Sequence, residues 1–392
     1  MNLYPGLVAL QDEMTAWRRD FHAHPEIGFE EHRTSALVAE RLESWGIEVH
    51  RGLGGTGVVG VLRGTKGSGG GNRAIGLRAD MDALPMEEAN TFEHRSRHPG
   101  RMHACGHDGH TTMLLGVAKY LAETRNFSGT VHFVFQPAEE GLAGAKRMLD
   151  DGLFERFPCD SMYGIHNSPD VPLGKVRAIT GTALAAIDYF VVTLRGKSTH
   201  GATPQNGIDT VAIAAQVIGV INAIPSRHVN ALDSAIISIG MIHGGTSNIV
   251  LPETVEIRGS VRTLRPQVRD LVEELFHRGV GHCAAAHGGT AEIVYNRAYP
   301  PTINTAAETD RAAQAAGVVL GDSNVLRGGQ PILAGEDFAF YLERTPGAFL
   351  LFGQGEEDRF RVTPHNTYYE FNDNLLPIGA SFFARMVEQE LG

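Results

Sequence analysis

The sequence predicts an α/β protein of two domains, with the smaller domain inserted into the larger one. Helical and strand-like apolar patterns alternate over residues 1–183 and again over residues 300–392, as in an α/β sheet layered by helices. Residues 184–299 between them follow a different order: strand, helix, strand, strand, helix, strand. A length of 392 residues suits two such domains.

The strand and helix order of the inserted domain, β-α-β-β-α-β, is that of the ferredoxin-like fold. Its strands are expected at 187–194, 235–242, 254–263 and 291–295, and its helices at 209–224 and 268–286. In the larger domain, helices are expected at 6–23, 34–45, 112–121, 143–149, 306–319 and 378–391, and strands at 57–62, 74–77, 130–135, 161–165 and 348–352. The glycine-rich residues 64–71 lack phosphate-loop spacing and are predicted to form a flexible hairpin connection.

Composition narrows the classes of function. The formal charge of −11 argues against nucleic acid or an anionic membrane as the main partner. Apolar runs are expected to be too short to span a bilayer, and the first residues have no basic or apolar stretch of the signal-peptide kind. Three cysteines do not indicate a disulfide framework, so a cytoplasmic protein is the default expectation.

Residues 101–110 place one thiol, three imidazoles and one carboxylate within ten positions. Thiolate, imidazole and carboxylate are the ligands of zinc and its first-row neighbours. An isolated Cys or His is usually an ordinary core or surface residue, but a core cannot bury this much polarity unpaired. With a helix expected from Thr112, Cys105 would lie just before a helix N-terminus, whose partial positive charge favours a thiolate. This stretch therefore predicts a metal site if other ligands join it.

Further candidate ligands follow the predicted strands, where open α/β sheets place their sites. Asp80 and Asp82 follow strand 74–77, the pair Glu139 and Glu140 follows strand 130–135, and His166 follows strand 161–165. Taken singly, each of these groups is explained by a solvated loop or by surface acids at the start of a helix. Three successive strand ends with such residues make coincidence the poorer explanation. One more histidine, at position 365, lies in a loop before the last helix.

These residues resemble the di-metal amidohydrolases of the aminoacylase and zinc-carboxypeptidase superfamily, and within it the hippurate hydrolase and auxin-conjugate hydrolase branch. The resemblance is in order and covers nearly the whole chain. The matching stretches are 18–26, 77–85, 102–110, 136–141, 164–167, 196–200, 244–248, 335–338 and 364–366. The wider superfamily has His-x-Asp where this chain has Asp80, Met81 and Asp82; in this branch the Cys-x-His motif supplies ligands instead.

The resemblance implies a metallopeptidase-like catalytic domain that holds two divalent metal ions per subunit, with Zn, Mn, Co and Ni all open. The implied ligands are Cys105, His107, Glu140, His166 and His365. Glu139 is implied as the general base that activates a metal-bridging water to cleave the amide bond of N-acyl amino acids. Asp80 and Asp82 would orient ligands, while His103, Asp108 and His110 are expected to be structural or to support the ligands.

The inserted domain is implied to act as a lid and as the surface of a homodimer or homotetramer. His200 would complete the oxyanion site, and Asn248 and Arg262 would hold the carboxylate of a small-molecule substrate. Arg262 is equally compatible with a surface ion pair.

Two other classes of function remain open. A cysteine hydrolase would use Cys105 as its nucleophile with a nearby histidine as base, and would survive chelators. A non-catalytic metal-binding protein of the same fold would be expected to have lost its base, whereas Glu139 is present.

Overall fold

A computed structural model describes residues 1–67 and 73–392. It divides the chain into two compact units. The first, the outer unit, comprises Met1–Ala183, Ile303–Gln330 and Asp337–Gly392. The second, the inserted unit, comprises Leu184–Thr302 and Pro331–Glu336.

Strands and helices alternate through most of the chain. In chain order the strands are β1 Glu48–Leu53, β2 Gly57–Arg63, β3 Ala74–Asp80, β4 Thr130–Gln136, β5 Ser161–Pro172, β6 Val176–Ala178, β7 Gly181–Leu184, β8 Ala186–Arg195, β9 Thr199–His200, β10 Ala235–Gly244, β11 Val250–Leu251, β12 Thr254–Thr263, β13 Thr290–Tyr299, β14 Thr302–Asn304, β15 Val325–Arg327 and β16 Gly347–Gly355. The helices are α1 Pro5–Ala9, α2 Gln11–Ala23, α3 His32–Ser44, α4 His107–Thr124, α5 Gly144–Asp150, α6 Leu153–Arg156, α7 Thr210–Arg227, α8 Pro266–Ala286, α9 Ala306–Leu320, α10 Ala339–Leu342 and α11 Leu376–Leu391. Short 3₁₀ turns occur at Pro204–Asn206, Asp322–Asn324, Asp358–Arg361 and Asp373–Leu375.

The outer unit is built on a mixed eight-stranded sheet in the order β1-β2-β4-β3-β5-β16-β6-β15. Its centre, from β4 through β3 and β5 to β16, is parallel. Strands β3, β4 and β16 are buried along nearly their whole length, because helices cover the sheet. Helix α4 packs against β3 as well as α2 and α11, which fixes the N-terminus of α4 close to the carboxyl end of β3.

The inserted unit has a four-stranded antiparallel sheet in the order β10-β12-β8-β13. Helices α7 and α8 pack together and against this sheet, with Phe190 and Phe276 in the core between them. Asp209 caps α7 by accepting hydrogen bonds from the backbone N–H groups of Val211 and Ala212. The expected ferredoxin-like arrangement is therefore confirmed, as is the α/β class.

Several expectations are wrong in detail. Strand β4 lies between β2 and β3, so these two strands do not form a hairpin; part of their connection, residues 68–72, lies outside the described residues. Strand β5 continues past His166 to Pro172, because its pairing with β16 extends that far. Apolar runs were expected to be too short to span a bilayer, but helix α7 is long and apolar enough to do so by length and composition; it also contributes buried residues to the core of the inserted unit.

Candidate metal centre

The Cys-x-His motif lies at the start of α4, which begins at His107 and not at Thr112 as expected. Gly106 precedes the helix with a φ of 95°, a left-handed conformation that favours glycine. A Cβ at this position would also lie 2.3 Å from Asn167 Oδ1. The turn therefore needs glycine for two reasons, and it presents Cys105 and His107 on either side of a tight bend.

The structure brings all five expected ligand residues into one cluster within the outer unit. Cys105 Sγ lies 3.3 Å from His166 Nε2, and His365 Nε2 lies 3.1 Å from Glu140 Oε1. His107 Nε2 is 3.9 Å from the same Glu140 oxygen. The donor atoms of Cys105, His107 and His166 lie within 4.8 Å of one another, as do those of Cys105, Glu140 and His365. Cys105 and Glu140 thus connect two groups of donors.

The imidazoles of His107, which is buried, and of His166, which is partly buried, have the orientation of metal ligands. His107 Nδ1 donates to the carbonyl oxygen of Asp82 at 2.9 Å, and His166 Nδ1 donates to that of Asn167 at 2.7 Å. Each bond leaves Nε2 as the atom that faces the cluster. Among the described residues, the buried Nε2 of His107 has no hydrogen-bond partner. Because a buried polar atom without a partner is costly, a cation at this position fits the residues present.

The pKa values of the cluster residues are shifted in both directions. Burial lowers the pKa of His166 to about 3, so its imidazole is neutral, the form that binds metal. Burial raises the pKa of the Cys105 thiol, and the nearby Glu140 carboxylate adds to this effect. Hydrogen bonds to Cys105 and then to Glu140 raise the pKa of His365 to about 10. Cys105 and His365 must release their protons when they bind a cation, so metal binding there depends on pH.

The carboxylates of Asp80 and Asp82 form hydrogen bonds that hold groups of the cluster in place. Asp82 Oδ2 accepts the backbone N–H of Glu140 at 2.9 Å, while Asp80 Oδ1 lies 2.6 Å from His110 Nδ1. Burial alone would raise the pKa of Asp80, but the Arg78 guanidinium and two imidazoles outweigh burial and hold that pKa well below its usual range. Asp80 is therefore a buried, ionised group that faces the histidines of α4.

Glu139 lies beside this cluster, on the loop that follows β4. Its side chain is buried, and one of its oxygens lies within 4.8 Å of donor atoms of His107 and Glu140. A carboxylate in this position can exchange a proton with a group held by the cluster.

The other residues of the motif have different surroundings. Asp108 Oδ2 accepts a hydrogen bond from His22 Nδ1 at 2.8 Å, and His110 Nε2 lies 2.7 Å from Asn167 Oδ1. His110 also forms a possible donor group with Asp80 and His107. His103 is buried, and its two ring nitrogens have no hydrogen-bond partner among the described residues.

The three residues that were expected to contact the substrate lie on the inserted unit. His200 belongs to β9, which pairs with β11, and its Nδ1 accepts the backbone N–H of Ala202. Asn248 lies in the exposed segment between β10 and β11. Arg262, on β12, donates from Nη1 to the carbonyl oxygen of Leu333 at 3.0 Å.

The two-unit α/β fold and this donor cluster are those of a metal-binding protein with a buried carboxylate beside its site. The model of the peptidase family M20/M25/M40 matches residues 76–389 of the chain. The chain belongs to this family and is a metal-dependent amidohydrolase, as its resemblance predicted.

Relatives that match nearly the whole length of the chain agree with its assignment to this family. The chain is 40% identical to a hippurate hydrolase of Campylobacter jejuni, covering 98% of each chain. It is 36% identical to IAA-amino acid hydrolase ILR1-like 2 of Arabidopsis thaliana, covering 97% of this chain and 85% of that one. Among solved structures it is similar to a dinuclear metal binding peptidase of the M20 family from Bacillus subtilis, with a TM-score of 0.82 and 32% identity over 97% of this chain and 98% of that one.

Proposed function

We propose that the protein hydrolyses the amide bond of N-acyl amino acids to a carboxylic acid and a free amino acid. The observation that carries the proposal is the cluster of five donors with the buried Glu139 carboxylate beside it. The names of its relatives, a hippurate hydrolase and an IAA-amino acid hydrolase, support this substrate class. Two divalent cations are proposed to be held by Cys105, His107, Glu140, His166 and His365.

The proposed roles divide between polarisation and proton transfer. Bound divalent cations supply a Lewis acid for the amide carbonyl and increase the acidity of water. Glu139 accepts a proton from the attacking water and later delivers one to the leaving amine. Asp82 holds the backbone N–H of Glu140, next to Glu139, so that proton transfer takes place from a fixed position.

The inserted unit is proposed to supply the remaining contacts. His200 would donate to the carbonyl oxygen as negative charge develops on it. Asn248 and Arg262 would bind the substrate carboxylate, with the guanidinium as a two-pronged donor. This assignment rests on the resemblance and on the chemistry of these side chains.

The same unit is proposed to form a homodimer or homotetramer in a cytoplasmic enzyme. Strand β10 lies at the edge of its sheet, and Met241 and Ile242 on that strand are about half exposed. An edge strand with exposed apolar side chains is suited to pairing with another chain. Sedimentation of the purified protein gives the oligomeric state directly.

The experiment for the reaction is a hydrolysis screen of acyl amino acids, including hippurate and indole-acetyl conjugates, with metal-reconstituted enzyme. Glu139→Gln keeps the size of the side chain but removes its basicity. Its turnover should fall at least ~100-fold, the usual contribution of a general base, while metal content stays near wild type. An active Glu139→Gln enzyme would remove the proposed mechanism.

One observation favours a second candidate, a cysteine-nucleophile amidase. The 3.3 Å separation of Cys105 Sγ and His166 Nε2 also suits a nucleophile and its base. A cysteine-nucleophile amidase would keep its activity in the presence of chelators, whereas a metal-dependent enzyme would lose it.

A further inference from the structure

The segment of residues 26–31, between α2 and α3, touches two loops that carry site residues. The carbonyl oxygen of Glu26 accepts the N–H of Ala83 at 2.8 Å, and Ile27 forms a β-bridge with Ala83. Gly28 packs so closely on the loop after β4 that a Cβ there would lie 2.7 Å from Leu142 and 3.0 Å from Ala138. The segment therefore acts as a connection between the loop of Asp82 and the loop of Glu139.

Glu31 ends this segment with a fully buried side chain. Its Oε1 accepts the backbone N–H of Ala138 at 2.8 Å, and its Oε2 accepts the hydroxyl hydrogen of Thr56 at 2.5 Å. In both contacts a carboxylate oxygen of Glu31 accepts the hydrogen bond. Glu31 thus holds the N–H of the residue that directly precedes Glu139.

The backbone at this contact has an uncommon conformation. Ala138 has a φ of 54°, in the left-handed region that residues with a Cβ rarely adopt. Such a conformation persists only where the surroundings determine it. The hydrogen bond from Ala138 N to Glu31, the bond from Gly144 N to the Ala138 carbonyl oxygen at 2.9 Å and the close packing of Gly28 all restrain it.

We propose that Glu31 is a positioning residue that places Glu139 and Glu140 by fixing the peptide of Ala138. Asp82 holds the other side of the same loop through the N–H of Glu140, so two buried carboxylates fix the residues between them. The proposal rests on the proposed role of Glu139 as general base.

Glu31 is also held where burial disfavours the charge of its carboxylate. Burial raises its pKa to about 7, and the neighbouring Asp82 carboxylate contributes in the same direction. A carboxylate kept where burial disfavours its charge is a frequent feature of functional sites.

The test compares Glu31→Ala, Glu31→Gln and a control in the metal-loaded full-length enzyme. The control is Glu390→Gln, which removes a buried carboxylate that binds Arg73 and Arg311 elsewhere in the outer unit. Glu31→Ala should lower kcat roughly 10- to 100-fold, as expected for a misplaced catalytic group, with KM changed far less. Glu31→Gln should recover most of kcat, because its amide oxygen can still accept the N–H of Ala138.

Two results would overturn the proposal: a Glu31→Ala enzyme with the kcat of the control, or a Glu31→Gln enzyme as impaired as Glu31→Ala. If Glu31→Ala does not fold, Glu31→Asp keeps the carboxylate but shortens its reach to the N–H of Ala138, and unchanged kcat in that variant would count against the proposal. Failure of the proposed function is distinguished by Glu139→Gln, whose full activity would refute the general base whatever the Glu31 variants do.

Discussion

The buried charge of Glu31 should make the stability of the protein fall as pH rises, and Glu31→Gln should abolish that fall. In the folded protein its carboxyl group has a pKa of about 7, against an ordinary value of 4.5. Between these values the folded state binds more protons than the unfolded state, so stability is full below about pH 4.5 and decreases up to about pH 7. Glutamine does not titrate and retains the hydrogen-bond acceptor.

The magnitude follows from the size of the pKa difference. A rise from 4.5 to about 7 is about 2.5 pH units, and each unit corresponds to about 1.4 kcal/mol. The free energy of unfolding of Glu31→Gln, relative to wild type, should therefore increase by up to about 3 kcal/mol between pH 4.5 and pH 8. Other titrating groups cancel in this difference unless they interact with Glu31, as Asp82 does.

The assay is urea unfolding of both proteins at several pH values between 4.5 and 8. Metal-free protein is used for both, so that release of cations at low pH does not contribute. The midpoints are compared at equal slope, since a changed slope would indicate a change other than stability. A difference between the two proteins that stays constant across this pH range would refute the argument that burial disfavours the Glu31 charge.

The remaining predictions concern the cluster and the inserted unit. His200→Ala should lower the rate without releasing metal, measured by turnover beside metal content; loss of metal would make His200 a ligand instead. Bound metal should protect Cys105 from thiol alkylation and chelation should expose it, while Cys159 and Cys283 respond equally in both states. Alkylation of Cys105 at the same rate with and without chelator, in protein that is fully metal-loaded before chelation, would contradict its assignment as a ligand. A cysteine nucleophile predicts that indifference, together with an acyl-enzyme detectable by mass spectrometry.

Periodicity was sufficient for most elements, because a helix or strand that buries one face has to repeat its apolar residues. The long strand β12 and helix α11 were predicted within about two residues of their observed bounds. Short strands with few buried residues, such as β6 and β15, have no such pattern and were not predicted.

The first or last residue of some strands and helices depends on contacts with residues that are distant in sequence. Strand β5 extends beyond His166 because β16, far along the chain, pairs with it. Helix α4 begins at His107, earlier than its apolar repeat, because the Gly106 turn and the bonds of His107 to Asp82 and of His110 to Asp80 stabilise a polar first turn.

The sequence by itself determined the donor chemistry: a thiol, imidazoles and carboxylates at spacings typical of this family, and an inserted βαββαβ unit. Only the tertiary structure decided how these groups are held. Glu31 and Ala138 lie 107 positions apart, and no local pattern relates a carboxylate after one helix to a peptide group after a strand. Their contact exists because the covered sheet places the end of β4 beside the segment that joins α2 and α3, and a buried N–H there requires an acceptor.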